Sequence, residues 1–109
     1  MALFSFAIAI VTLIPMIEEF LFRGLVQNFC SGFMSSKGAI IITSLLFALF
    51  HYSSAQAAAN IELMVGLVIY SYFMGIGYIK ERSLWTSIGM HGTFNALSLS
   101  WMMLLETSI

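Results

Sequence analysis

Apolar residues run through the chain in four long stretches. Ala2 to Ile17 and Gly38 to Ile61 carry no charge; Leu63 to Ile79 is apolar or aromatic with a few small residues; Leu84 to Leu105 is apolar with scattered Ser, Thr, His and Asn. A helix needs about 20 such residues to cross the hydrocarbon core of a bilayer. The pattern predicts four helices, over 2–29, 38–55, 61–79 and 84–105, the second short unless it continues through Gln56 to Ala59. The breaks are polar: Ser31-Gly32 with Ser35-Ser36-Lys37-Gly38, and then Lys80-Glu81-Arg82-Ser83. A softer connection runs from Ser53 to Asn60, where Asn60 can cap the third helix. The expected fold is all-α, a single domain over 1–109 forming an integral membrane bundle of about four transmembrane helices.

Composition excludes the main alternatives. Of the 109 residues, 61% are hydrophobic and 8% charged, against about 25% charged in a soluble domain, so the chain cannot cover a globule with a solvated surface. Cys30 is the single cysteine, which rules out a disulfide scaffold. Four Lys+Arg against five Asp+Glu leave a net charge of −1 and no basic stripe for nucleic acid. No basic residue precedes the first apolar run, so it does not read as a cleaved signal peptide. With four spans, Lys37, Lys80 and Arg82 fall on one side. The positive-inside bias makes the basic turns cytoplasmic and puts the termini and the 53–60 connection opposite.

Against this background the polar residues within the spans stand out, because each buried charge costs roughly 2.5–3.5 kcal/mol on insertion scales. Glu19 and Arg23 are four apart and share a helix face, so they can pair, and such a pair can serve packing alone. Glu18 points about 100° away and has no partner on its own helix. Pro15, one turn earlier, removes a backbone donor, giving a kink or a carbonyl that lines a wet cavity. His51 ends the run Leu45–Phe50, with Phe47 and Ser44 on its face; taken alone it reads as an interfacial snorkeller. In the fourth helix Ser87, His91, Asn95 and Ser98 form a polar stripe, with Ser87 and Ser98 expected to act as interhelical glue.

Depth ties these residues together. Counted from the basic turns at 1.5 Å per residue, Glu18 lies about 18 Å deep, His51 about 21 Å, His91 about 14 Å and Asn95 about 20 Å. Independent snorkellers would not converge in this way. A carboxylate and two imidazoles can hold a divalent metal such as zinc, with Glu18, His51 and His91 as ligands, or activate water directly. The chain has no H-E-x-x-H, no G-x-S-x-G and no aspartate, so a zincin helix, an aspartyl protease and a Ser-His-Asp triad are excluded.

Glu18-Glu19-x-x-x-Arg23, Phe47-x-x-x-His51 and His91-x-x-x-Asn95, in this order on separate apolar helices, resemble the three signature motifs of the CPBP family. This family, also called Abi, comprises CAAX proteases and bacteriocin-processing enzymes and includes the type II CAAX prenyl endopeptidase. The texture Glu18-Glu19-Phe20-Leu21-Phe22-Arg23-Gly24 and the Ser83-Leu84-Trp85 approach to His91 are similar too. The resemblance spans about residues 10 to 100.

It implies an all-helical membrane fold with a cavity open to the cytosol. Glu18 and His51 would activate water, His91 and Asn95 would stabilise the oxyanion, and Glu19 and Arg23 would support the site. The implied activity is an intramembrane endopeptidase cutting a peptide or prenylated protein at the bilayer, with no metal strictly required. Members of the family usually have further spans, so the chain reads as a minimal member, a fragment, or a subunit completed by a homo-oligomer or further helices. The rival from another class is a non-catalytic membrane protein, such as a bacteriocin self-immunity or scaffold protein.

Overall fold

The computed structural model describes residues 2–52 and 59–107. Among these it contains four helical rods and no strand: α1 (Ala2–Ser31), α2 (Ser36–Phe50), α3 (Ala59–Glu81) and α4 (Leu84–Thr107). α1 and α3 are both long enough and apolar enough to cross a membrane. α2 has 15 residues, and α4 has 24 but carries the Thr, Ser, His and Asn stripe that lowers its hydropathy. The expectation of four spans is therefore met in helix number, while two of the four pass the test of length and apolarity. The outward residues explain the rest of the composition. Phe4, Ile17, Leu49, Ile69, Phe73, Trp85 and Leu97 are all exposed, a surface suited to lipid and not to water.

α1 is not a uniform helix. It widens to π geometry over Ala9–Leu13 and again over Phe20–Gln27. The first widening precedes Pro15, whose missing N–H would otherwise leave a gap in the ladder. The Ile14 N–H already reaches back five residues to the Ala9 carbonyl. The second follows the Glu pair and carries Arg23 and Gln27 into the interior. π segments of this kind cluster at functional sites.

The core is small and built around Phe22, Phe47 and Met74, with Leu67, Tyr70 and Met90 packed against it. α2 lies along α3, and α4 closes against α1 and α3. Small residues permit the close fit. Ala39 and Ala48 are fully buried, and a Cβ on Gly75 would come within 2.9 Å of Gln27 Oε1 and 3.0 Å of Ile40 Cγ2.

The expected second helix, 38–55, ends at Phe50 instead. His51 leaves helical geometry (φ −96°, ψ 4°), and its ring caps the end by donating to the Phe47 carbonyl. The connection predicted over 53–60 lies largely outside the described residues, and α3 begins at Ala59, so Asn60 falls within the helix and not at its cap. α2 opens with Ser35, whose Oγ accepts the Gly38 N–H at 3.1 Å. At the α3–α4 turn Arg82 takes a left-handed conformation, φ 51°.

Candidate active site

Glu18, His51 and His91 come from α1, the end of α2 and α4 and meet at one point. Glu18 Oε2 lies 3.5 Å from His51 Nε2 and 3.8 Å from His91 Nε2. The atom is buried yet in hydrogen-bond geometry with neither ring among the described residues. Glu18 and His51 are 25% and 32% exposed, while His91 is almost closed off at 6%. The site is thus open on the Glu18–His51 side and walled on the His91 side.

Each imidazole is oriented from behind. His51 Nδ1 faces the Phe47 carbonyl oxygen at 2.7 Å. A carbonyl only accepts, so Nδ1 carries the proton and Nε2 is turned toward Glu18. His91 Nδ1 faces Glu19 Oε2 at 2.9 Å, so it donates to that carboxylate and presents Nε2 to the same point. The Phe47 ring holds both imidazoles in place, tilted against His51 at 4.6 Å between centroids and edge-on to His91 at 5.6 Å.

Glu19 does two things, of which the spacing indicated one. It pairs with Arg23, whose Nε lies 3.3 Å from Glu19 Oε1, both side chains being fully buried. It also orients His91 on a helix distant in sequence. Arg23 is held on all sides: its Nη2 donates to both the carbonyl and the hydroxyl of Ser71 at 2.5 Å, and its guanidinium sits 5.2 Å from the Phe47 ring centroid. Gln27, one turn on, donates to the Gly75 carbonyl at 3.4 Å. Ser71, Gln27 and Tyr70, which donates to the Met90 carbonyl, were not among the expected site residues. Arg23 and Gln27 four apart on α1, against Ser71 and Gly75 four apart on α3, are the signal that could have found two of them.

Asn95 is placed differently from the others. Its Nδ2 donates to the Ile10 carbonyl at 2.9 Å. In the wide register set by the Ile14–Ala9 bond, Ile10 offers the carbonyl that the absent Pro15 N–H would have served. Of Glu18, His51, His91 and Asn95, expected to share one cavity, the first three meet at one point, while Asn95 is bonded to α1 at Ile10. The rest of the α4 stripe does not bridge helices as expected. Ser87 Oγ donates to its own helix at Leu84, and Ser98 is exposed.

An apolar groove of about 500 Å³ opens onto the site. Glu18 and His51 stand at its polar end, and Leu21, Phe22, Leu25 and Phe50 form its walls. Among the described residues no group of three or more His, Cys, Asp or Glu side chains is arranged to hold a metal ion.

A family model described as "Type II CAAX prenyl endopeptidase Rce1-like" matches residues 1–97. The chain belongs to the Rce1-like family. That match covers every residue of the three motifs and places the chain among membrane-associated CAAX proteases, a class of hydrolases. No curated protein and no solved structure matches the chain. Within the Rce1-like match, Glu18, Glu19 and Arg23 lie on α1, His51 at the end of α2, and His91 and Asn95 on α4.

Proposed function

We propose that this chain is an intramembrane endopeptidase that hydrolyses a peptide bond in a membrane-associated, CAAX-like substrate through water activated by Glu18 and His51. The observation that carries the reading is Glu18 Oε2: a buried carboxylate oxygen with no hydrogen-bond partner among the described residues, facing two imidazole Nε2 atoms. An acceptor in that state is matched to a water that donates to it.

The chemistry follows from the atoms present. Water bound between Glu18 and His51 gives a proton to Glu18 as its oxygen attacks the scissile carbonyl carbon. The carbonyl oxygen becomes an oxyanion on the walled side, where His91 Nε2, when protonated, is a donor. Asn95 has a second Nδ2–H besides the one given to Ile10, and it serves as the other donor. As the C–N bond breaks, Glu18 returns its proton to the leaving amine. Glu19 and Arg23 act through His91 and the packing of α1 on α3 and are positioning residues. The groove beyond Glu18 takes the apolar part of a lipid-modified substrate. All four helices lie in the bilayer, with the Lys37 and Lys80 turns at the cytoplasmic face.

The test is cleavage of a farnesylated CAAX peptide by the full chain in liposomes. Glu18→Gln keeps shape and removes the base, so turnover should fall by about 10²–10⁴-fold while circular dichroism and folded yield are unchanged. Retained turnover in Glu18→Gln overturns the assignment. A non-catalytic immunity or scaffold protein would cleave nothing and would keep its cellular effect in the same variant.

A further inference from the structure

A second groove lies at the basic end of the bundle, between α2 and α3. It holds about 370 Å³. Ile40, Tyr72 and Ile76 wall it, and Ser36, Lys37 and Lys80 stand at its rim. Tyr72 and Lys80 are eight residues apart on one helix, so the groove reaches about 12 Å in from the charged end.

Three observations bear on its occupant. Lys37 and Lys80 are both exposed, and among the described residues neither takes part in an ion pair. They are two of four Lys+Arg in the chain, and Arg23 is spent in the interior. Lys37 also sits in the first turn of a 15-residue helix, where free N–H groups and the helix dipole favour an anion. Glu81 and Arg82 are at the same end but do not line the groove.

We propose that this groove binds an anionic phospholipid, with one acyl chain lying along Ile40, Tyr72 and Ile76 and the phosphate held by Lys37 and Lys80. The walls are apolar and, on the transmembrane placement proposed above, lie within the bilayer, so they suit a hydrocarbon chain. The two ammonium groups select the headgroup. A zwitterionic lipid brings its own cation to the rim and gains less from them. The inference rests on that membrane placement and is independent of the chemistry at Glu18.

The experiment is native mass spectrometry of the full chain in mixed micelles holding equal amounts of phosphatidylglycerol and phosphatidylcholine. The protein should retain phosphatidylglycerol over phosphatidylcholine by roughly 10- to 30-fold. Lys37→Gln/Lys80→Gln should bring that ratio close to one, and Lys37→Arg/Lys80→Arg should keep it. Arg82→Gln, outside the groove, should leave it within about twofold of the original. Soluble glycerol phosphate should not displace the bound lipid. An unchanged ratio in the double Gln variant overturns the proposal. So does an equal loss in Arg82→Gln, which would mark a diffuse surface potential, or displacement by glycerol phosphate, which would mark a headgroup site without the chain.

Discussion

His91 Nδ1 and Glu19 Oε2 are 2.9 Å apart, joining α4 to α1 inside the bundle. One carboxylate thereby fixes the tautomer of an imidazole at the candidate active site and offsets the buried charge of Arg23. Glu19→Gln keeps an oxygen that can accept from His91 but leaves Arg23 without its counter-charge. Removing one member of a buried pair costs roughly 3–5 kcal/mol. We expect Glu19→Gln to lose stability on that scale, measured by denaturant unfolding in detergent. Turnover per folded molecule should fall less than in Glu18→Gln.

Arg23 and Ser71 form a second tie, between α1 and α3. Because the guanidinium serves Glu19, the Ser71 carbonyl and the Ser71 hydroxyl together, Arg23→Lys is not conservative: a point charge cannot span the set. Its expected cost is about 1–3 kcal/mol. Ser71→Ala removes one acceptor of two and should cost about 1 kcal/mol. In a double-mutant cycle of Arg23→Lys with Ser71→Ala, the coupling should exceed about 0.5 kcal/mol. Strict additivity would show that the two residues act separately.

Asn95 and Pro15 should also be coupled. Asn95 supplies the Ile10 carbonyl with the donor that Pro15 lacks. Asn95→Ala should therefore cost about 1–2 kcal/mol in the native background. In a Pro15→Ala background the restored N–H can serve that carbonyl, and the same substitution should cost less than half as much. Equal costs in the two backgrounds, from thermal unfolding in detergent, would disconnect Asn95 from the break in α1.

Arg82 carries a positive φ of 51° at the end of α3. A residue with a Cβ pays about 1 kcal/mol or more for this conformation, and glycine does not. Arg82→Gly should raise the unfolding temperature, and Arg82→Val should lower it. If both lower it, the side chain is contributing more than the turn geometry costs.

Much of the site could be read from residue types alone. Glu18, Glu19, Arg23 and His91 are conspicuous because a charge or imidazole in an apolar run has no cheap explanation, and helix periodicity alone paired Glu19 with Arg23. The tie of Glu19 to His91 was not legible, since 72 residues separate them and periodicity acts within one helix. Ser71 and Gln27 carry no charge and look like ordinary members of a membrane helix until Arg23 is seen to need acceptors on α3 and Gln27 to reach the Gly75 carbonyl there. The partner of Asn95 was hidden for another reason: it is a backbone carbonyl, exposed by Pro15 together with the widened turn at Ala9–Leu13. The early stop of α2 follows from a side chain bonding to its own backbone, His51 to Phe47, which competes with helix continuation and leaves no mark in hydropathy.

Gly92 on α4 is buried against α1, and a Cβ there would lie 2.6 Å from the Val11 carbonyl oxygen. With Asn95 clasping Ile10 one turn further on, backbone meets backbone and the two rods cannot part without breaking that polar contact. That seam is a closed door. On the proposed reading, a substrate moving in the bilayer reaches Glu18 from the other flank, where the groove lined by Leu21, Leu25 and Phe50 opens. The missing methyl group of Gly92 thus helps decide, on that reading, which flank of the bundle a substrate can use.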